Sequence, residues 1–338
     1  MKKVMITGAG GAIGMHMIAH VMHNTDWDVV AIDSFKPEHK GYFDRITEVT
    51  RDHPLWKERL MVIQHNLCAP FTERQIEKMG KIDYIINLAS RSDVQASVDD
   101  PIPFVRDNTE LMLTMLEYAR IVKPAVFLHF STDEVYGSAP KDGGGHPEWD
   151  TILPSNPYSA SKACQEALAI AWWRTYGVPV IITNTMNNFG ETQSPSKFPA
   201  MIQKKLENDE EITVHSSGGE IGTRYYLHSR NAADAVLFIL KNVEPKLHEF
   251  GQMDMPVRLN IVGDVQLSNL ELVERIAKLM GKTPKIKMVD YHTNNPGHDL
   301  HYGLNGKKLH DLGWTSPMSF DESMKNTIEW QQEHNEWN

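Results

Sequence analysis

The sequence predicts an α/β fold, a doubly wound parallel sheet with a smaller, discontinuous α/β C-terminal lobe that would carry the substrate. Three observations predict it. Short apolar β-runs alternate with helical patterns from Lys3 to Thr183. The first run ends in a glycine-rich turn that opens a helix, which puts a backbone cradle at the carboxyl edge of a sheet. After Thr183 the alternation breaks, so a second architecture begins there.

In chain order, Lys3–Thr7 is a β-run leading into Gly8-Ala9-Gly10-Gly11-Ala12-Ile13-Gly14, with a helix from Met15 to Asn24. The GxxGxxG spacing differs from the common GxGxxG, but the physics is shared: a tight turn, close backbone approach to a pyrophosphate and a helix N-terminus facing the anion. This makes the sheet Rossmann-like and implies a dinucleotide. A second strand, Asp28–Ile32, ends in Asp33, an acid about 20 residues beyond the glycines that can accept hydrogen bonds from an adenosine ribose. No arginine follows it to meet a 2′-phosphate, so NAD is expected over NADP. The bland reading of Asp33 is a strand-end cap.

Strands are expected at Leu60–Ile63 and Asp83–Asn87. The helix from about Pro103 to Val122 carries Val105, Leu111, Met112, Met115, Leu116 and Ala119 at the spacing of a core or dimer face. The buried strand Ala125–Phe130 runs into Ser131-Thr132-Asp133-Glu134-Val135-Tyr136-Gly137, which places two adjacent carboxylates at the ligand-binding edge of the sheet. One could be a protonated acid and the other an ionised base if their surroundings push the two pKa values apart; otherwise this is a solvated acidic turn. Ser138–Pro157 reads as a loop able to lie over the site. Tyr158 and Lys162 then share one face of a helix running to about Tyr176, a plausible base for a hydroxyl, although a lone YxxxK also occurs as a surface pair.

After the strand Pro179–Thr183 come a loop at Glu191–Lys197, a helix at Phe198–Leu206 and an extra strand at Ile212–His215. A helix at Asn231–Lys241 follows, and Arg258–Val262 returns to the main sheet. Helices near Leu270–Met280 and Phe320–Glu333 complete the second lobe. The expected division is residues 1–184 with about 226–263 for the dinucleotide, and about 185–225 with 264–338 for the substrate.

Composition bounds the function. At 338 residues, 41% hydrophobic and 23% charged, the chain is an ordinary globular protein. A net charge of -10 argues against non-specific nucleic-acid binding. Two cysteines without metal spacing point to a reducing, cytoplasmic setting, and the glycines at 8, 10 and 11 break the N-terminal apolar run too early for a membrane or secretory segment. His16, His20 and His23 share a helix face and could mimic a metal site. With no carboxylate or cysteine nearby in sequence, they read as a solvated face, and no metal is expected.

Together these motifs resemble the extended short-chain dehydrogenases/reductases, and most closely the nucleotide-sugar 4,6-dehydratases. Thr7–Gly14 is similar to the family's TGxxGxxG, Ser131–Gly137 to its STDEVYG, Tyr158–Lys162 to its YxxxK and Asn187-Asn188-Phe189-Gly190 to its NNYG. Pro296-Gly297-His298-Asp299 with Tyr302, then Leu312-Gly313-Trp314, resembles its PGHDxxY and LGW. The resemblance implies an NAD-dependent lyase converting a dTDP-glucose-like nucleotide hexose to the 4-keto-6-deoxy sugar. It implies that Tyr158 takes the 4-hydroxyl proton, Lys162 lowers the phenol's pKa and binds the nicotinamide ribose, and Thr132 bonds the 4-oxygen. Glu134 would remove the C5 proton and Asp133 would protonate the leaving C6 hydroxyl.

For NAD the resemblance implies Gly8, Gly11, Ala12, Ile13, Gly14, Asp33, Asn66, Leu67, Leu88, Ala89, Ser131, Tyr158 and Lys162; for the nucleotide sugar, Ser92, Asn187, Asn188, Lys197 and Arg224, with a surface ion pair as the bland alternative for Arg224. It also implies a cytoplasmic homodimer paired through two helices per subunit. The chain departs from the family pattern at Asn66, Asp93 and Asn184, where aspartate, histidine and arginine are usual. A 4-epimerase or UDP-glucuronate decarboxylase on the same scaffold, or a non-catalytic binder of NAD or nucleotide sugar, are the alternatives.

Overall fold

The computed structural model describes residues 1–35, 44–47, 53–140, 143–245, 248–250, 253–290 and 297–334. Its main sheet has seven parallel strands: β1 (Lys3–Thr7), β2 (Asp28–Asp33), β3 (Leu60–Gln64), β4 (Tyr84–Asn87), β5 (Val126–Thr132), β6 (Val180–Thr185) and β7 (Val257–Ile261). They lie in the order β3-β2-β1-β4-β5-β6-β7. The order reverses between β1 and β4, and in such sheets the crevice beyond the carboxyl ends at that point receives ligands.

Both faces are covered, which explains why the strands are almost wholly apolar rather than alternating. On one face α1 (Ala12–Asn24) contributes Met15, Ile18 and Val21, packed with Val236 and Leu240 from a later helix, Ser229–Asn242. On the other, α2 (Pro101–Val122) and α3 (Pro157–Tyr176) bury Leu111, Met112, Met115, Leu116 and Trp173 against Ile85, Phe127 and Ile182. The periodic face of α2, readable from sequence as core or dimer face, is therefore core. Ile102 and Ile121 of the same helix stay exposed, at 77% and 59%.

A third core gathers Phe189, Ile202, Ile212, Val214, Leu272, Ile276, Met324 and Ile328 around two small sheets. One of these pairs Asn187–Phe189, Thr223–His228 and Val265–Ser268; the other pairs Lys285–Asp290, Glu211–Ser217 and Glu220–Ile221. The short helices Trp56–Arg59, Glu73–Met79 and Val94–Asp99 are additions to the sequence expectation, being too short to show a helical period. Lys285–Asp290 is likewise an addition: none of its residues is buried, and its apolar residues Ile286, Met288 and Val289 do not keep a strict alternation.

Candidate active site

Four segments meet at the carboxyl edge of the sheet. Thr7 closes β1: its hydroxyl donates to Asn87 Oδ1 at 2.8 Å and accepts from the backbone N–H of Leu88 and of Ala89, each at 3.1 Å. This fixes the Leu88–Ala89 segment over the glycine turn. There Gly8 has φ +67, and a Cβ on Gly14 would lie 2.2 Å from the Gly8 carbonyl, so only glycine lets α1 start this close to β1. Gly11 is the N-cap of α1 and no side chain caps the helix, leaving the backbone around Ala12 and Ile13 for an incoming anion. Asp33 ends β2, accepting from the Gly10 N–H and the Phe35 N–H at 3.0 Å each. Leu67 is buried and Asn66 exposed, its side-chain oxygen closing a turn onto the Cys68 N–H.

β5 delivers the acid pair. Its last residue, Thr132, caps a single 3-10 turn, Asp133–Tyr136, and Gly137 ends that turn at φ +76, where a Cβ would strike the Leu153 carbonyl at 2.4 Å. The chain around Leu153, in the segment read as a loop over the site, is thus laid against the turn, and Leu153 N–H bonds the Val135 carbonyl. Thr132 Oγ1 donates to Asp133 Oδ1 at 3.0 Å; Asp133 Oδ2 is buried with no hydrogen-bond partner among the described residues. Asn156 Nδ2 donates to Glu134 Oε2 at 3.3 Å and to the Gly297 carbonyl at 3.1 Å. Burial, and next the neighbouring Glu134, push Asp133 up to about 7. Burial also raises Glu134, with Asp299 acting the same way; Asn156, Arg224 and Lys197 oppose the shift.

Tyr158 and Lys162 stand in the first turns of α3, which Asn156 opens through a reciprocal capping box with Ser159. The Tyr158 phenol is pushed far up by burial, then by Glu134 and Asp133, with only the Thr132 hydroxyl acting downward. Lys162 does not relieve it: Nζ donates to the Phe130 carbonyl at 2.9 Å and to Gln165 Oε1 at 2.8 Å. A shared helix face sets direction, but the nearby carbonyl and amide oxygens claim the ammonium. Burial brings Lys162 itself down to about 7. Ser131 sits at the same strand end with its Oγ buried and unpartnered among the described residues.

Of the residues expected to hold the substrate, Arg224 and Lys197 both project their charge onto Glu134. Arg224 is no surface ion pair. Its guanidinium donates to the carbonyls of Thr223, Leu300 and Asp299 and lies 4.3 Å over the Tyr302 ring. Asn188 turns Nδ2 to the Met186 carbonyl at 2.7 Å, leaving Oδ1 buried and unpartnered among the described residues. Asn187 and Ser92 are exposed. Asp299 accepts from Ser138 and Ser155, and its N–H bonds the Tyr302 hydroxyl, so the C-terminal motif joins the site; Pro296 lies outside the described residues.

Sequence reasoning missed Thr7, Asn87 and Asn156. Asn156 had a readable signal, an Asn directly before a Pro-initiated helix. Of the departures, Asp93 has a structural job: it caps the helix Val94–Asp99, accepting from the Ala96 N–H at 2.8 Å.

The reading of His16 as solvated is also corrected. His16 is buried, 3.1 Å from Glu191 Oε2, and His228 Nε2 lies 3.1 Å from the same oxygen. Their ligand atoms fall within 4.8 Å of one another, a spacing compatible with a metal. However, His228 Nδ1 accepts the Arg230 N–H at 3.0 Å as a helix cap, so in the neutral ring the proton sits on Nε2 and points at Glu191. Arg230 adds a guanidinium 3.5 Å from Glu191 Oε1. The set is a clamp on a half-buried anion. The carboxylate was missed because it lies far away in sequence. His20 pairs with Asp234 at 3.3 Å, and only His23 remains on the exposed face.

The chain is similar to known proteins over nearly its whole length. The family model described as GDP-mannose 4,6 dehydratase matches residues 5–327. The dTDP-glucose 4,6-dehydratase of Escherichia coli is 30% identical, over 99% of this chain and 95% of its own. That of Neisseria meningitidis serogroup B is 30% identical over 100% and 95%. Among solved structures, the dTDP-glucose 4,6-dehydratase of Streptomyces venezuelae, with NAD bound, superposes with a TM-score of 0.85 at 26% identity, covering 99% of this chain and 98% of its own. A UDP-glucuronic acid 4-epimerase from Bacillus cereus superposes almost as well, with a TM-score of 0.82 at 22% identity, and so speaks to fold alone.

Proposed function

The chain belongs to the GDP-mannose 4,6 dehydratase family, and from that premise we propose that it is an NAD-dependent nucleotide-sugar 4,6-dehydratase. The observation that carries this reading is the pairing of a buried Asp133 with a half-buried Glu134 beside Tyr158, with Asp133 pushed up to about 7 and one of its oxygens free among the described residues. A hydroxyl-inverting enzyme or a passive binder has no use for two such carboxyls; elimination of water needs one proton taken and one given.

The residues present fit NAD. The Gly8–Gly14 cradle excludes side chains, the N-terminus of α1 is uncapped by any side chain, Asp33 stands at the end of β2, and Ser131 and Lys162 lie at the end of β5 and in α3. Gly8, Gly11, Ala12, Ile13 and Gly14 would hold the pyrophosphate, Asp33 the adenosine ribose, Asn66, Leu67, Leu88 and Ala89 the adenine side, and Ser131, Tyr158 and Lys162 the nicotinamide end. Bound NAD supplies the redox chemistry at the sugar. Tyr158 rests as a phenol, so it must first give its own proton to solvent; the phenolate Oη then takes the 4-hydroxyl proton while Thr132 Oγ1 orients that oxygen, and Lys162 would turn its ammonium from the Phe130 carbonyl toward Tyr158 to favour that phenolate. Once C4 is a ketone, Glu134 takes the acidified C5 proton and Asp133 donates its own to the departing C6 hydroxyl, which leaves as water. Arg224, Lys197, Asn188, Asn187 and Ser92 would hold the nucleotide diphosphate and sugar.

We assign the third core, with residues of about 185–225 and 264–338, to a substrate lobe, and residues 1–184 with about 226–263 to the NAD domain. Among the described residues no helix is long and apolar enough to cross a membrane. We place the protein in the cytoplasm, as a homodimer through the outer faces of α2 and α3, where Ile102, Ile121 and Tyr176 are exposed.

The test is a mass screen of products from dTDP-, UDP-, CDP- and GDP-hexoses. Loss of one water from a nucleotide hexose is expected. An isomer of unchanged mass would indicate an epimerase, loss of carbon dioxide from a uronate a decarboxylase, and NAD binding with no turnover a passive binder.

A further inference from the structure

Beneath the acid–base turn lies a fully buried ion pair that the chemistry above does not use. Arg258, on the edge strand β7, and Glu166, on α3, are both 0% exposed, and Arg258 Nη2 meets Glu166 Oε2 at 2.6 Å. The two ends of the pair reach different points of one short segment. Arg258 Nη1 donates to the Tyr136 hydroxyl at 2.9 Å, and Tyr136 is the last residue of the 3-10 turn. Glu166 Oε1 accepts from Asn184 Nδ2 at 2.7 Å; the same nitrogen donates to the Thr132 carbonyl at 3.0 Å, and Thr132 is that turn's cap. The Tyr136 hydroxyl and Asn184 Oδ1, 3.5 Å apart, close the circuit.

Desolvating a guanidinium and a carboxylate is costly, and a well-packed apolar pair would serve stability as well or better. The pair's polar geometry is therefore better explained by what it holds. Each charge has a second hydrogen bond, and both of these bonds lead to the segment carrying Asp133 and Glu134. The loop reinforces this, with Trp149, at φ +68, stacked 4.2 Å from the Arg258 guanidinium and roofing it from above.

We infer that Arg258 and Glu166 are positioning residues that clamp both ends of the Thr132–Tyr136 turn and so aim Asp133 and Glu134 for the elimination of water. The catalytic part of this inference rests on the dehydratase reading; the clamp itself does not. Arginine is required because its fork spans two acceptors, which one ammonium cannot do in the same geometry.

The experiment compares wild type, Arg258→Lys and the double variant Arg258→Met/Glu166→Met, which leaves no lone buried charge if the single replacement of either partner fails to fold. Two readouts are taken: backbone amide exchange of the 132–137 segment by mass spectrometry, and kcat and KM for the nucleotide hexose found in the product screen. Expected in the double variant are a melting temperature close to wild type, amide exchange at least about tenfold faster in 132–137 and unchanged in β1 and α1, and kcat lower by about 100-fold, the loss a misplaced catalytic group causes, with KM within about threefold. Arg258→Lys should fall between. Wild-type protection and turnover in the double variant would overturn the inference, as would exchange rising equally across the main sheet, which would mark the pair as core packing alone. If wild type removes water from no nucleotide hexose, the dehydratase reading fails, and the amide exchange still decides whether the clamp exists.

Discussion

Asp133 and Glu134 are neighbours in sequence with unlike surroundings, and that difference divides their roles. Asp133 bonds one hydroxyl and has an oxygen to spare; Glu134 is bonded by Asn156 and faces the charges of Arg224 and Lys197. The raised Asp133 pKa has a stability consequence whose sign is fixed. A carboxyl that titrates near 7 when folded, against 3.8 ordinarily, stabilises the fold fully below the ordinary value and loses that contribution as pH rises through about 7. Asp133→Asn should therefore raise the melting temperature by a few degrees at about pH 8, with the difference vanishing near pH 4. Thermal scans of the two proteins across pH check it, and an equal shift at both ends would exclude the raised pKa. Chemistry separates the other two groups. Glu134→Gln should retain NAD and substrate but stop solvent exchange of the C5 proton, followed by mass in deuterium oxide, whereas Tyr158→Phe should abolish NADH appearance in single turnover. Normal exchange, or a normal NADH burst, would remove the corresponding role.

At the scale of elements, much of the site was legible because its segments are punctuated by residues with few conformational alternatives. Gly8, Gly14 and Gly137 mark where backbone approaches backbone, and apolar runs ending in polar residues mark strand ends at one edge. What was not legible depends on contacts between distant segments. The Thr7 hydroxyl on Leu88 and Ala89, the Lys162 ammonium on Phe130, and the Arg258–Glu166 clamp join residues from 32 to 92 positions apart or bridge separate strands, and no local pattern announces them. Asn184 looked like a defect beside the family's usual arginine; in the fold it is a bridge between Glu166 and Thr132. The glycine turn offers a test at this scale. Gly14→Ala must push its Cβ into the Gly8 carbonyl, and about 1–3 kcal/mol of overpacking cost should accompany loss of bound NAD. Gly11→Ala meets only the Gly8 carbonyl, at 3.3 Å, so it should melt near wild type and still bind NAD more weakly, because its methyl stands over the N-terminus of α1. Calorimetry and NAD titration distinguish the two, and equal losses in both would mean that the cradle matters only for folding.

The whole molecule is tied together by charges as well as by its cores. Glu191 follows the strand Asn187–Phe189, His16 belongs to α1, and His228 caps the helix Ser229–Asn242, so one half-buried carboxylate joins the NAD-side helices to the segment that leads into the third core. Burial alone would raise Glu191; the His16 and His228 imidazoles beside it overcome that and hold the carboxyl far below its usual range. His228 is lowered too, to about 4, but here burial itself is the main cause. Both shifts have the same sign in linkage. A group with a depressed folded pKa lends stability above its unfolded pKa and loses it as pH falls, for His228 across the window from 6.5 down to about 4 and for Glu191 below the ordinary carboxylate range. Replacing Glu191 by Ala strands the imidazoles and the Arg230 guanidinium without their anion, a loss of about 3–5 kcal/mol by analogy with broken buried pairs. His228→Asn keeps a good helix cap and a neutral donor while removing the titration. Its denaturant-unfolding free energy should be close to wild type near pH 7.5 and flatter between pH 6.5 and 4 by about one proton's worth of slope, so that the variant is the more stable protein at pH 5. If the acid slope of His228→Asn matched that of wild type, His228 would have to be protonated in the fold, and the neutral tautomer that makes this cluster an anion clamp would be wrong.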